Sequence, residues 1–213
     1  MINLSEIFLS IQGESTFSGL PCIFIRFSGC NLRCSYCDSK DSYKTKFTLS
    51  PLEILQSIKK YKPIDLIEIT GGEPLLQNDM YELIEILNKN NYQILLETNG
   101  SLNIQKIPDY VIKIVDIKCP GSGEAGSFLI ENLKYISKDK DEIKFVLSDK
   151  MDYEWAKKKI RQYNLEDYKI LFSTVFSKLS LDKLADWIIS NRLQVRMQLQ
   201  LHKYIWEPNK RGV

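Results

Sequence analysis

Cys30, Cys34 and Cys37 lie within eight residues of one another, in Cys30-Asn-Leu-Arg-Cys34-Ser-Tyr-Cys37, in a loop opened by Ser28-Gly29. Three thiolates so close can converge on one inorganic centre. A structural zinc ion takes four protein ligands, and catalytic zinc usually mixes in histidine. The single histidine, His202, is far downstream, so zinc would need Cys22, Cys119 or His202 as a fourth ligand. A [4Fe–4S] cluster ordinarily takes four cysteines. Three would leave one iron open to a substrate or cofactor. Three cysteines that merely pack is the plainest alternative, but a glycine-opened loop at a strand end is a poor place to bury thiols. A second group is Thr70-Gly-Gly-Glu-Pro74, at the end of another apolar run. A glycine pair lets backbone approach a ligand closely, although the same residues could make an ordinary turn.

The elements around these groups alternate between extended runs and amphipathic helices. Cys22–Phe27 is β-branched and aromatic, bounded by Pro21 and Ser28-Gly29, and reads as a strand. Ser50-Pro-Leu-Glu53 is a capping box with proline at the first helical position, and Leu52, Ile54, Leu55 and Ile58 supply an apolar stripe behind it. Leu66–Ile69 follows as a strand. Met80, Leu83, Ile84 and Leu87 then recur at the spacing of one helix face. Strands are expected over 92–96, 111–117, 143–147, 169–174 and 195–201, with helices around 128–136, 152–162 and 181–189. The total is about six or seven strands, mostly parallel, which fits an incomplete (β/α) barrel or an open doubly wound sheet. Lys157–Lys159 reads as a solvated helix face.

Composition narrows the classes. At roughly 150 residues per domain, 213 residues suggest one domain. The 29 Lys+Arg against 27 Asp+Glu give a net charge of +2, so nothing calls for a nucleic-acid partner. No apolar run approaches the roughly 18 residues of a membrane span, and the N-terminus lacks a secretory pattern. Five cysteines, three of them crowded together, argue against a disulfide framework and for a reducing, cytoplasmic setting.

The C-x3-C-x2-C triplet with Thr70–Pro74 resembles the signature of the radical S-adenosylmethionine (SAM) superfamily. Further segments resemble the 7-carboxy-7-deazaguanine synthase family from end to end: Ser5–Phe8, Ser10-Ile-Gln-Gly-Glu14, Phe27–Cys30, Cys37-Asp-Ser39, Glu97-Thr-Asn-Gly100 and Gln198–Lys203. That resemblance implies an α/β fold of radical SAM type, an incomplete (β/α) barrel with mostly parallel strands. It implies one domain over 1–213, with a C-terminal segment, about 195–213, closing the active site. It also implies a [4Fe–4S] cluster, SAM and Mg2+ as cofactors, and conversion of 6-carboxy-5,6,7,8-tetrahydropterin to 7-carboxy-7-deazaguanine. The reaction would proceed by hydrogen abstraction at C6 and ring contraction with loss of ammonia, as a carbon–nitrogen lyase step towards queuosine and other 7-deazapurines. A reductant such as flavodoxin or ferredoxin and a homodimeric state are implied as well.

Carried over residue by residue, the resemblance puts the cluster on Cys30, Cys34 and Cys37 and the magnesium ion on Ser39. SAM contacts fall to Tyr36, Asp38, Gly72, Asn99 and Lys118. Substrate contacts fall to Gln12, Gly13, Glu14, Arg26, Thr70, Glu97 and His202. Arg26 also has a reading of its own: an arginine in an apolar strand needs an anionic partner, either the substrate carboxylate or a structural acid such as Glu68. A lone His202 could equally be a core histidine. The sequence departs from the family pattern in three places. Ser39 stands where threonine is commoner, Asp116-Ile-Lys-Cys-Pro-Gly121 replaces a serine-proline-lysine segment, and Pro208–Val213 extends the tail. Two rivals are a glycyl-radical activase and a non-catalytic iron–sulfur or zinc module. The first leaves 12–14 and 198–203 unexplained, the second leaves 70–74.

Overall fold

A computed structural model describes residues 1–213. In chain order the elements are β1 (Ile2–Ile11), β2 (Pro21–Phe27), β3 (Phe47–Leu49), α1 (Pro51–Ile58), β4 (Leu66–Gly71), α2 (Asp79–Lys89), β5 (Gln93–Thr98), β6 (Ile112–Asp116), β7 (Glu142–Leu147), α3 (Lys150–Gln162), β8 (Lys169–Thr174), α4 (Leu181–Ser190), β9 (Arg196–Gln198) and α5 (His202–Ile205). One nine-stranded sheet runs β3-β1-β2-β4-β5-β6-β7-β8-β9. From β2 to β9 every neighbouring pair is parallel. β1 is antiparallel to both β2 and β3, and the sheet does not close. The expected mostly parallel, incomplete barrel architecture is the one found, with nine strands rather than six or seven. No helix is long and apolar enough to cross a membrane.

Local sequence explains most elements. Ser50 caps α1: the Glu53 N–H donates to Ser50 Oγ at 3.3 Å, and Glu53 Oε2 accepts from the Ser50 N–H at 2.7 Å. The buried set of α1 is Pro51, Ile54, Leu55 and Ile58, while Leu52 is exposed. The expected stripe is therefore one residue off, because 51, 54, 55 and 58 lie on a single helical face and 52 does not. Two other expectations need correction. The helix around 128–136 is only a 3-10 turn, Ile130–Tyr135, in which Asn132 alone is buried. Its side chain ties the Gly100 and Leu102 carbonyls and the Ile104 N–H, so a polar anchor rather than an apolar stripe holds it. The last strand covers 196–198 instead of 195–201, and its end turns into α5.

Side chains alternate across the sheet with period two. One face carries Ile23, Ile25, Phe27, Ile67, Ile69, Ile94, Leu96, Val115, Ile143, Phe145 and Leu147 into a core of 36 buried residues. The buried stripes of α1 to α4 cover it. On the other face, Cys22, Phe24, Leu66, Leu95 and Ile114 form a small apolar cluster toward the strand starts. Beyond it, toward the strand ends, the same face turns polar: Arg26, Glu68, Thr70, Glu97, Asp116 and Lys144. That change positions the site.

Candidate active site

A cavity of about 520 Å³ opens at the C-terminal ends of the parallel strands, and each of the sixteen residues singled out from the sequence lines it. Its first wall is the cysteine loop. Gly29 begins it at φ +86°, a left-handed conformation that suits glycine, and its N–H donates to the Ser42 carbonyl at 2.7 Å. Cys30, Cys34 and Cys37 are half-buried, whereas Cys22 and Cys119 are fully buried in the body of the fold. The Leu32 N–H points at Cys30 Sγ (3.4 Å), and Asn99 Nδ2 lies 3.9 Å from the same sulfur. Burial raises the Cys30 and Cys34 thiols, with nearby Lys118 pulling both down. Ligation to iron would supply the positive charge that thiolates in such a place require.

Gly71 and Gly72 lock this loop to β4. A Cβ on Gly71 would sit 2.1 Å from the Phe27 carbonyl oxygen, and one on Gly72 would sit 1.9 Å from that of Gly29. The glycine pair thus serves a backbone approach between β4 and the cysteine loop. The Gly72 N–H donates to Phe27 O at 3.1 Å, which leaves its carbonyl as the group able to accept from an ammonium. Glu73 is fully buried and takes the Leu75 N–H, Thr98 Oγ1 and the Asn99 N–H, so it braces the turn. Tyr36 donates to the Val146 carbonyl at 3.1 Å, and Lys118 pairs with Asp116 at 2.7 Å.

The opposite wall is a chain of ion pairs. Lys144, buried on β7, donates to Glu14 at 2.7 Å and also to Glu97. Burial alone would lower this ammonium, but the two carboxylates raise it well above its usual value. Thr70 Oγ1 donates to Glu97 at 2.9 Å. Gln12 is buried, with both ends of its amide engaged: Oε1 accepts the Glu14 N–H at 3.1 Å and Nε2 donates to Glu68. Glu68 is therefore not the partner of Arg26. Arg26 Nε instead lies 3.1 Å from Glu6 on neighbouring β1, and its terminal nitrogens form no hydrogen bond within the protein.

C-terminal residues also line the cavity. The Leu201 N–H donates to the Gly13 carbonyl at 3.0 Å, and a Cβ on Gly13 would fall 2.4 Å from His202 Nδ1, so only glycine admits this contact. His202 lines the cavity half-buried, which sets aside the core-histidine alternative, and burial lowers its pKa. Gln198 and Gln200 both donate to Glu14, at 3.1 and 2.9 Å. Lys203 pairs with Asp38 at 2.8 Å, and Arg211 reaches the Asp38 carbonyl at 2.9 Å and Asp41 at 3.0 Å. Sequence reasoning missed Glu68, Lys144, Asp116, Gln200, Lys203 and Arg211. Lys144 carried the same signal as Arg26, a lone charge in an apolar strand.

A model of the radical SAM superfamily matches residues 24–120. The 7-carboxy-7-deazaguanine synthase of Koribacter versatilis is 44% identical, the match covering 100% of both chains. That of Chlorobaculum tepidum is 41% identical over 100% of this chain and 97% of its own length. The chain belongs to the 7-carboxy-7-deazaguanine synthase family. A crystal structure of QueE from Escherichia coli shares the fold, with a TM-score of 0.75 at 22% identity over 93% of this chain and 94% of that one. Family membership makes this a radical SAM enzyme, with a [4Fe–4S] cluster and SAM as its cofactors. The thiols fit the cluster better than the zinc alternative. All three border one cavity and no fourth thiol does, since Cys22 and Cys119 are buried in the body of the fold. A cluster spreads its thiolates over separate irons.

Proposed function

We propose that the chain converts 6-carboxy-5,6,7,8-tetrahydropterin to 7-carboxy-7-deazaguanine with loss of ammonia, as a carbon–nitrogen lyase of 7-deazapurine and queuosine biosynthesis. One observation carries the reading: a single cavity holds the thiol triplet on one wall and the Glu14–Lys144–Glu97 chain with Arg26 on another. When bound, the cluster and SAM supply the hydrogen-abstracting radical. The protein's own residues bind and aim. Glu14 and Glu97, both paired with Lys144, can accept from the amino and ring N–H donors of the heterocycle. The terminal nitrogens of Arg26 are free to take the substrate carboxylate as a fork. Thr70 and His202 border the same space, and Gln12 and Gly13 act by placing Glu14 and the tail.

On the other wall, Tyr36, Asp38, Gly72, Asn99 and Lys118 surround the thiols and would hold SAM, with the Gly72 carbonyl toward its ammonium. Ser39 would give magnesium its protein oxygen. The chain folds as one domain whose segment 195–213 closes the site, with Lys203 and Arg211 fastening it to Asp38 and Asp41. An enclosure of that size, capped by the chain's own tail, suits a small heterocycle better than the loop of a protein partner. Flavodoxin or ferredoxin is the proposed reductant, the homodimer the proposed assembly and the cytoplasm the proposed compartment.

The test is anaerobic reconstitution with iron and sulfide, followed by reductive SAM cleavage with and without the carboxypterin. Ammonia release and a 7-carboxy-7-deazaguanine product are expected. SAM cleavage with no ammonia at any pterin concentration would refute the substrate assignment.

A further inference from the structure

Glu68 is the one carboxyl of the polar wall without a cation of its own. It projects from β4 on the cavity side and is 6% exposed. Lys144 is committed to Glu14 and Glu97, and Arg26 on adjacent β2 has its Nε beside Glu6 and forms no ion pair with Glu68. Asp116 on β6 holds Lys118, and the Cys22 thiol at the strand start brings no positive charge. Its one protein partner is the Gln12 amide, and the orientation of that amide is fixed, because Oε1 already accepts the Glu14 N–H and Nε2 is therefore the end that meets Glu68 Oε2. Glu68 Oε1 makes no hydrogen bond within the protein.

We propose that Glu68 is a further substrate-binding residue: a neutral carboxylic acid whose O–H, on Oε1, donates to an acceptor atom of the heterocycle. The proton belongs on Oε1 because Oε2 accepts from Gln12. Burial first, then the charges of Glu97 and Glu14, outweigh the Gln12 hydrogen bond and the Lys144 charge and push the Glu68 carboxyl up to about 8, which favours the acid form at pH 7. Three carboxyls then offer unlike faces. Glu14 and Glu97, paired with Lys144, accept, while Glu68 donates. A pterin or deazaguanine presents the matching edge, an amino group and ring N–H beside a ring nitrogen and a carbonyl oxygen. The assignment rests on the functional reading above and adds the recognition of its acceptor atoms.

The reaction product, 7-carboxy-7-deazaguanine, keeps that edge and does not turn over, so its binding to reconstituted enzyme can be followed by calorimetry from pH 7 to pH 9. A group titrating at about 8 is nine-tenths neutral at pH 7 and nine-tenths ionised at pH 9, so the wild-type Kd should rise about tenfold across that range. Glu68→Gln keeps a neutral donor beside an acceptor, and its Kd should stay within about threefold of the pH 7 wild-type value throughout. Glu68→Met should bind about tenfold more weakly at pH 7, with little dependence on pH. Iron content and melting temperature report whether each variant has folded. A flat wild-type profile, the same rise in Glu68→Gln, or tight binding by Glu68→Met would overturn the proposal. Absence of any product binding by wild type at pH 7 would instead remove the functional reading beneath it.

Discussion

The two faces of the sheet use buried lysines in opposite ways. Lys113 faces the helices and is 1% exposed, paired with Asp141 at 2.9 Å, and Lys140 shares the same carboxylate. Burial lowers its pKa, and Asp141 only partly offsets this. Lys144, one strand away on the cavity face, has two carboxylates to itself and is raised. Asp141 is taken up by two ammonium groups and by the N–H groups of Lys113 and Ser137, so nothing is left to offer a ligand. The open group is overprovided with acid, and an excess of acceptors bordering a cavity is a binding arrangement. Burial alone does not separate the two. What separates them is which sign is in excess: two ammonium groups use up one carboxylate beside the helices, whereas two carboxylates share one ammonium beside the cavity.

The sharpest way to break this division between a structural face and a working face is through the cysteines. Replacing Cys30, Cys34 or Cys37 with alanine should abolish reductive SAM cleavage and remove the bound iron. Cys22 lies in the apolar cluster at the strand starts, so Cys22→Ala should keep its iron and lose only stability, about 1–2 kcal/mol by chemical denaturation. Iron loss in Cys22→Ala would place a ligand on the wrong side of the boundary.

Next in size, the two lysines can be compared directly. Lys113→Met leaves a buried carboxylate with less compensation and should cost about 3 kcal/mol. The low end of the range applies because Asp141 keeps Lys140 and the N–H groups of Lys113 and Ser137. Lys144→Met should melt closer to wild type, since Glu14 and Glu97 border the cavity and can be hydrated. Its kcat/KM for the carboxypterin should fall by about a hundredfold, the worth of one or two charge-assisted bonds. Reversal of that pattern, with Lys144→Met unfolded and Lys113→Met inactive but stable, would end the comparison.

What was legible in the sequence divides along similar lines. Elements specified by neighbours in the chain were readable: the Ser50 capping box, the α2 stripe, and β8, whose bounds matched at both ends. β1 was harder, since its register slips between Leu4 and Glu6 and blurs the alternation, and three-residue β3 is too short for any period to show. Within the site, the cysteine triplet and the Thr70–Pro74 turn carry their meaning in spacing. Glu68, Lys144 and Gln200 do not. Lys144 meets Glu14 across 130 residues and Gln200 meets it across 186, and only the folded sheet brings them together. That Glu6, rather than the Glu68 offered as an example, is the acid beside Arg26 has the same origin, because β1 lies beside β2.

Arg26 gives a smaller and more selective effect. Arg26→Lys keeps the charge near Glu6 but loses the free terminal nitrogens of the fork. Substrate affinity should weaken by about 1.5–3 kcal/mol with SAM affinity unchanged. Equal damage to both ligands would make the Glu6 pair the residue's whole purpose.

Ser39 should give the smallest effect. It borders the cavity two residues past Cys37, and its backbone is held: the Ser39 carbonyl accepts from the Ser42 N–H at 2.9 Å and from Ser42 Oγ at 2.6 Å. Its hydroxyl donates to Asp38 Oδ1 at 3.2 Å, a contact weak enough to be surrendered. Magnesium commonly takes one or two protein oxygens and keeps several waters, so a single hydroxyl with a carboxylate-bearing substrate would make a sufficient site. A serine lacks the second Cβ substituent that restricts a threonine rotamer, so its oxygen is less firmly placed. The plain alternative is a turn residue that only shapes the loop. Turnover measured against magnesium concentration separates them. Ser39→Ala should lose the magnesium stimulation, a change of a few-fold, while keeping its iron and its SAM cleavage. Ser39→Thr should reach half-stimulation at a lower magnesium concentration than wild type. An unchanged magnesium response in Ser39→Ala would assign the ion to other oxygens and leave Ser39 to the fold, on the structural side of the comparison.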